Sequence, residues 1–183
     1  GIGQGYLNVT ILQLCTAAAR IASGNMVSPR IARVVGHNLQ QRPELKRLPF
    51  SDGALALVRN GMNGVTNSPG GTAYRFRITE PGYEMAGKTG TAQVRVISRE
   101  EHNAGVKKDT QLPWKLRDHG LFIAFAPASA PRYACATIVE HGALGHPQVL
   151  AARDILLYAQ TRDPLKMQTA YPINAASLAT QSG

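Results

Sequence analysis

Residues 82–91, with the sequence GYEMAGKTGT, carry the side chains best suited to chemistry, and they fit two different motifs. Read from Gly82, the segment has the pattern G-x-x-x-x-G-K-T, in which backbone N–H groups and a lysine hold nucleotide phosphates. Read from Lys88, it has the pattern K-T-G-T, which on a β-strand places a positive charge and two hydroxyls along a cleft, suited to a substrate carboxylate. The two motifs need different secondary structures, so the flanking residues discriminate between them.

A phosphate-binding loop needs a buried strand before it and a helix that begins at Lys-Thr, because the free N–H groups of that helix point at the phosphate. Residues 80–82 (Glu-Pro-Gly) stand where that strand should end, and residues 90–96 continue with β-strand rather than helix preferences. Glu84 would also repel a phosphate. These flanks disfavour nucleotide binding, which remains only as an alternative.

If residues 88–91 form a β-strand, the motif is suited to binding a peptide. Gly90 has no side chain, so other groups can approach the strand closely. If the strand lies at the edge of a sheet, its free backbone groups can pair with an extended peptide, and one N–H can stabilise an oxyanion. K-T-G is also the motif that accompanies Ser-x-x-Lys and Ser-x-Asn in serine enzymes that react with penicillins.

Three helices are predicted around this segment. Thr10 and Gln13 form a capping-box pattern that starts the first helix, which ends near Gly24. Ser51 can cap a second helix with Leu55, Val58 and Met62 on its apolar side, broken at residues 67–71. Pro147 suits the first turn of a third helix. Its predicted buried face consists of Val149, Ala152, Arg153, Leu156 and Leu157.

Four β-segments are predicted from alternating apolar residues and turn signals. They are a short strand at residues 31–35, a strand within residues 83–96, and a hairpin of residues 121–126 and 133–140 joined by the turn 127–131. A charged segment, residues 99–118, reads as irregular. Together with the helices, these segments predict an α/β (α+β) fold with an antiparallel sheet and flanking helices.

The composition limits the partners and cofactors. The chain has 183 residues, of which 44% are hydrophobic and 17% charged, as expected for one globular domain. Its net charge of +9 favours an anionic partner or a solubilising surface. We expect no nucleic-acid partner, because no recognition motif is present. The apolar runs are too short to span a bilayer.

The other reactive side chains have no neighbouring residues at the spacing that a metal or redox site needs. Cys15 and Cys135 lie in separate apolar segments and are expected to be core residues. His141 and His146 flank a turn without Cys or carboxylate neighbours, so we expect loop residues rather than a zinc site. Trp114, among several lysines, suits either a groove wall or partner contact, or a loop anchored by one aromatic ring. We expect no metal and no cofactor.

Several stretches in the same order resemble the class B penicillin-binding proteins, and within them the elongation transpeptidases. They are residues 1–5, 9–10, 12–14, 71–73, 87–93, 116–119 and 122–127. The resemblance implies that residues 1–163 are the C-terminal half of a penicillin-binding transpeptidase domain with a serine β-lactamase-like fold. Residues 164–183 have no periodic pattern and are expected to form a mobile tail.

The resemblance also implies roles for the motif. Lys88, Thr89 and Gly90 would belong to the catalytic centre, and the substrate would bind to Lys88, Thr89, Thr91 and Gln93. The backbone N–H of Thr91 would be half of the oxyanion hole. The implied ligands are the D-Ala-D-Ala end of a peptidoglycan stem peptide and β-lactams, and the implied partner is a membrane glycosyltransferase of the elongation machinery. The implied location is the periplasmic face of the bacterial inner membrane, reached through an N-terminal anchor.

The chain departs from this family at the nucleophile. No serine is followed by lysine three positions later, and Ser23-Gly24-Asn25, which matches Ser-x-Asn, reads as the end of a helix. We therefore expect the nucleophile and its lysine to lie upstream of Gly1 and this polypeptide alone to be inactive. A module that kept the strand but lost the chemistry, and binds or scaffolds instead, is the alternative.

Overall fold

A computed structural model describes residues 8–32, 34–40 and 44–162 of the chain. Its helices and strands in chain order are α1 (Ile11–Ser23), β1 (Val34–Val35), β2 (Asn38–Leu39), α2 (Asp52–Asn67), β3 (Ala86–Ala92), α3 (Arg99–Ala104), β4 (His119–Ala126), β5 (Tyr133–Val139) and α4 (Pro147–Thr161). Short 3-10 turns lie at Tyr74–Phe76, Asp109–Gln111 and Trp114–Leu116. The expected tail, residues 164–183, and the matching residues 1–5 lie outside the described residues.

The central sheet has three antiparallel strands in the order β3-β4-β5. In its register Thr89 lies opposite Phe122, and Thr91 opposite Gly120. β4 is the middle strand because it pairs with β3 on one side and with β5 on the other. The predicted antiparallel sheet with flanking helices is therefore confirmed.

The sheet is covered on both faces. Phe122, Ala124 and Ala126 of β4 pack against the apolar side of α4. Phe125, which points the opposite way, packs with residues of α1 and α2. Since alternate residues of a strand point to opposite faces, this arrangement makes three layers: α1 with α2, the sheet, and α4. Both phenylalanines are fully buried.

The local signals at helix ends are confirmed. Gln13 N–H donates to Thr10 Oγ1 at 3.2 Å, and Thr10 N–H donates to Gln13 Oε1 at 2.8 Å, so the capping box starts α1. Gly24 ends the helix with a φ of +73°, a conformation that glycine adopts without a steric penalty. Asn25 N–H donates to Ser23 Oγ, as expected of a capping turn.

The helix faces are confirmed with one exception. All five residues predicted for the buried face of α4 are buried. On α2, Leu55 and Met62 are buried, but Val58 is 45% exposed, so its prediction was wrong. The buried stripe continues instead to Thr66. Val58 lies beside this narrow stripe because α2 touches the sheet with only part of its surface.

The predicted strands were right in position and less accurate in extent. β3 is shorter than the predicted segment 83–96, whereas β4 begins at His119, two residues before the predicted start. In the segment 31–35, only Val34–Val35 pairs, with Asn38–Leu39, and Arg33 is outside the described residues. Residues 99–118 are not wholly irregular, because they contain α3 and two 3-10 turns.

Candidate active site

β3 forms one edge of the sheet in the part of the chain that the structure describes, since its pairing is with β4 alone. An edge strand presents unpaired backbone N–H and C=O groups along one side. Lys88, Gly90 and Thr91 are exposed on this strand, and Thr89 is half-buried. The motif thus lies where an extended peptide could add to the sheet.

The charged and hydroxyl groups of the motif lie on opposite faces of this edge. Ala86 packs with Met62 of α2, and because side chains alternate, Lys88 shares that face. Thr89 lies opposite Phe122, which packs against α4, so Thr89 and Thr91 face the α4 side. The backbone edge runs between the ammonium group and the two hydroxyls. The ammonium group and the hydroxyls therefore flank the unpaired backbone groups of the edge, one from each face.

Lys88 is available for a ligand. Its Nζ donates to the carbonyl oxygen of Thr89 at 2.9 Å, and its side chain is exposed. None of the three ion pairs formed within the described ranges includes Lys88. An ammonium group held only by a backbone carbonyl can exchange that bond for a charge-assisted bond to a carboxylate.

A third threonine joins Thr89 and Thr91 at the site, from outside β3. The hydroxyl oxygens of Thr72 and Thr89 lie 3.1 Å apart, within hydrogen-bond distance. Thr72 belongs to residues 71–73, which the family resemblance includes but to which the sequence pattern assigns no role. Its place beside the motif was missed, because the two threonines are 17 positions apart.

The C-terminal end of α2 fixes the start of β3. Thr66 Oγ1 and Asn67 Nδ2 both donate to the carbonyl oxygen of Met85, at 2.7 and 2.9 Å. Thr66 and Met85 are fully buried, so their hydrogen bond is shielded from competing water. The motif therefore begins from a rigid attachment.

The other end of β3 is held by charged side chains. Val94 N–H donates to Asp118 at 3.2 Å, and Arg95 forms two hydrogen bonds with Glu101, at 2.5 and 2.7 Å. These bonds to Arg95, assisted by the N–H of Lys107, lower the pKa of Glu101 to about 2. Gln93, predicted to bind substrate, is exposed one residue beyond β3.

The geometry contradicts a phosphate-binding loop. Residues 88–91 lie within β3, and no helix begins at Lys88. The N–H of Gly82, the first residue of the pattern, donates to the carboxylate of Glu84. That N–H is therefore already occupied by an anion of the chain. Because a phosphate-binding loop needs a helix that begins at Lys-Thr and these residues lie in a strand, the nucleotide-binding alternative is wrong.

His119 and His141 form hydrogen bonds with each other and with the backbone. His141 N–H donates to His119 Nδ1, and His141 Nδ1 lies 2.9 Å from the carbonyl oxygen of Arg117. The Trp114 ring stands edge-on to His141, with ring centroids 4.5 Å apart. Trp114 itself is 57% exposed. In the described ranges no three His, Cys, Asp or Glu side chains are grouped to hold a metal ion.

The two cysteines are free thiols. Cys135 is buried in the core that faces α4, and this burial raises the pKa of its thiol to about 11. Cys15 is half-buried, and its Sγ lies 3.5 Å from the carbonyl oxygen of Ala134. The expected packing role of Cys135 is confirmed.

None of the helices in the described residues combines the length and the apolar character needed to cross a membrane.

Comparison with known proteins gives consistent matches. The chain is 35% identical over 163 residues to the peptidoglycan D,D-transpeptidase MrdA of Escherichia coli, covering 85% of this chain and 25% of that protein. It is 34% identical over 175 residues to MrdA of Acinetobacter baumannii, covering 90% and 25%. The chain thus spans about a quarter of the length of these curated relatives.

Solved structures of penicillin-binding proteins match the fold of this chain. The fold matches penicillin-binding protein 2 of Helicobacter pylori in its complex with MreC, with a TM-score of 0.65 and 30% identity over 88% of this chain and 27% of that one. It matches penicillin-binding protein 2 of Pseudomonas aeruginosa in complex with WCK 5153 equally well, with a TM-score of 0.65 and 30% identity over 88% and 32%.

A family model described as the penicillin-binding protein transpeptidase domain matches residues 1–157. This match covers most of the 183 residues and includes β3, its edge motif and the helices that hold it. The chain therefore belongs to the penicillin-binding protein transpeptidase domain family.

Proposed function

We propose that this chain is part of a peptidoglycan D,D-transpeptidase, an enzyme that cross-links cell-wall peptides by serine acyl transfer. The observation that carries the proposal is the placement of Lys88, Thr89 and Thr91 on the edge strand β3 of the described sheet, with Lys88 and Thr91 exposed and Thr89 half-buried. Residues 1–163 would be the C-terminal half of the transpeptidase domain, followed by a tail. The relatives named peptidoglycan D,D-transpeptidase support the reaction class.

In this proposal each motif residue has a role toward a peptide that ends in a carboxylate. The Lys88 ammonium supplies a positive potential toward the peptide carboxylate and the nucleophilic serine with its hydrogen-bond partners. The Thr89 and Thr91 hydroxyls donate to the carboxylate. Gly90 leaves space for the peptide backbone, and Gln93 contacts the substrate further along. The N–H of Thr91 donates to the carbonyl oxygen as it becomes negatively charged.

The reaction would proceed through an acyl-enzyme. A serine of the full-length protein attacks the carbonyl carbon between the two D-alanines, and its hydroxyl proton passes to a neighbouring base. The C–N bond then breaks, and the terminal D-Ala leaves with a proton on its new amine. An amine of a neighbouring stem peptide attacks the serine ester, forms the cross-linking amide and returns a proton to the serine.

The same serine would be acylated by β-lactams, which carry a carboxylate beside a reactive amide. Relatives support this, since solved structures include an imipenem acyl-enzyme of penicillin-binding protein A from Mycobacterium tuberculosis. We further propose a periplasmic site of action, an N-terminal membrane anchor and a membrane glycosyltransferase partner. A partner in cell-wall synthesis is supported by the complex of the H. pylori relative with MreC.

Labelling with a fluorescent penicillin tests the proposal. The full-length protein is expected to be acylated, and Lys88→Met to reduce the rate about a hundredfold, because the fixed charge at the carboxylate is lost. Lys46→Met removes another exposed lysine and should label like wild type. The 183-residue chain alone should remain unlabelled.

One result would overturn the proposed reaction, and a second would overturn the expected location of its nucleophile. A folded full-length protein that is never labelled would lack the acyl-transfer chemistry and would be left as a binding or scaffold module. Labelling of the 183-residue chain would place the nucleophile within residues 1–183 and refute the expectation that it lies outside them.

A further inference from the structure

We propose that Thr72 is a positioning residue of this site: its hydroxyl donates a hydrogen bond to Thr89 and so directs the Thr89 hydroxyl hydrogen toward a bound carboxylate. The inference rests on the proposed function, since it concerns the same carboxylate. Its basis is the distance of 3.1 Å between the two hydroxyl oxygens. No role for Thr72 follows from the motif itself, because Thr72 lies outside β3.

The backbone around Thr72 is built into the end of α2. Gly71 N–H donates to Ser68 at 2.8 Å, and Ala73 N–H donates to Val65 at 3.0 Å. A Cβ atom at Gly71 would stand 2.2 Å from the carbonyl oxygen of Val65, so this turn approaches the helix more closely than any side chain allows. The position of Thr72 is therefore fixed by α2.

The same helix end also holds β3. Thr66 donates to the carbonyl oxygen of Met85, just before Ala86, where β3 begins. The segments that carry Thr72 and Thr89 are thus attached to the same helix end by two independent sets of hydrogen bonds. The contact between the two hydroxyls therefore follows from how α2 holds both segments.

The direction of the hydrogen bond decides what Thr89 can do. A threonine hydroxyl has one hydrogen to donate and two lone pairs to accept. If Thr89 donated to Thr72, it would have no hydrogen left for a carboxylate, which only accepts. If Thr72 donates, the Thr89 hydrogen is free for the ligand, and accepting a bond makes that hydroxyl a stronger donor. Carboxylate binding therefore favours donation from Thr72 to Thr89.

The test measures the second-order rate constant for acylation of the full-length protein by a fluorescent penicillin. Thr72→Val keeps the shape but removes the hydroxyl, and should lower the rate constant about tenfold. Thr72→Ser restores the donor and should stay within about twofold of wild type. Because Thr72 acts through Thr89, the double variant Thr72→Val/Thr89→Val should react no more slowly than Thr89→Val alone.

Matched measurements separate the possible failures. Thr72 is exposed, so Thr72→Val should unfold at the wild-type temperature. Thr110 is also exposed but lies in the 3-10 turn Asp109–Gln111, outside the site, so Thr110→Val should not alter acylation. The inference is overturned if Thr72→Val reacts like wild type, if Thr72→Ser is as slow as Thr72→Val, or if the two valine substitutions have additive effects. Failure of the proposed function looks different, because the wild-type protein itself would then not be acylated.

Discussion

Gly87 of β3 lies directly against the ring of Phe122 in β4. A Cβ atom at Gly87 would stand 2.3 Å from Cζ of Phe122 and 2.6 Å from the carbonyl oxygen of Ile123. Phe122 is fully buried between the sheet and α4, so its ring has no free space into which it could retreat. The residue before Lys88 is therefore a glycine because the core of the sheet leaves no room for a methyl group.

Gly87→Ala should destabilise the protein by about 1–3 kcal/mol, the usual cost of forcing an extra methyl group into a packed core. Thermal or urea unfolding measures the change. Gly90→Ala is the matched control on the same strand, because its Cβ atom would meet only Leu121 Cβ at an ordinary 3.5 Å. Equal stability of the two variants would refute this account of Gly87.

Thr66→Val should cost about 1 kcal/mol of unfolding free energy, because it removes a buried donor to the carbonyl oxygen of Met85. The loss is limited because Asn67 Nδ2 still donates to the same oxygen. Thr66→Ser, which keeps the donor, should recover part of the loss in the same unfolding measurement.

The control for Thr66 is a threonine that bonds within its own helix. Thr16 Oγ1 donates to the carbonyl oxygen of Leu12 in α1, a bond that adds little to helix stability. Thr16→Val should therefore change the unfolding free energy by less than about 0.5 kcal/mol. If Thr16→Val costs as much unfolding free energy as Thr66→Val, the hydrogen bond from α2 to β3 stabilises the protein no more than a bond within one helix.

The helix ends could be predicted from the sequence because their signals are local. Thr10 with Gln13, Gly24 and Pro147 each act on backbone groups within one turn, and each lies where it was expected. The error at Val58 has a different origin. Which apolar residues of an amphipathic helix are buried depends on how much of its surface meets the sheet, and this is a tertiary property.

The motif on β3 could also be predicted, but its surroundings could not. Flanking residues were enough to place residues 88–91 on a strand rather than at a helix start. The contact between Thr72 and Thr89 depends on the turn that follows α2, and no spacing rule relates the two residues. Likewise, the order β3-β4-β5, which leaves β3 at an edge, is set by pairing between distant segments.

Glu101→Gln should loosen the segment between β3 and β4 at neutral pH. Arg95 lowers the pKa of Glu101 from its ordinary 4.5 to about 2, so the ionised carboxylate stabilises the folded segment above about pH 4.5. That contribution is lost as the pH falls toward 2. The amide variant removes it at every pH and should increase tryptic cleavage after Lys107 and Lys108 several-fold.

Glu100→Gln is the control for this segment, because Glu100 makes none of the ion pairs found within the described ranges. It should be cleaved at the wild-type rate. The protection of the wild-type segment against hydrogen exchange, taken relative to the intrinsic exchange rate at each pH, should likewise fall as the pH is lowered from 4.5 toward 2. Equal cleavage of the two variants would show that the Arg95–Glu101 pair does not hold the segment.

Cys135 should be almost unreactive in the folded protein. Burial raises the pKa of its thiol to about 11, so at pH about 8 only about one thiol in a thousand is the reactive thiolate. In a Cys15→Ser background, labelling by a maleimide should be at least about a hundredfold slower in the native protein than in denaturant. Cys135→Ser leaves the half-buried Cys15, which should label faster than Cys135. Rapid native labelling of Cys135 would mean that the layer between the sheet and α4 opens far more often than its packing implies.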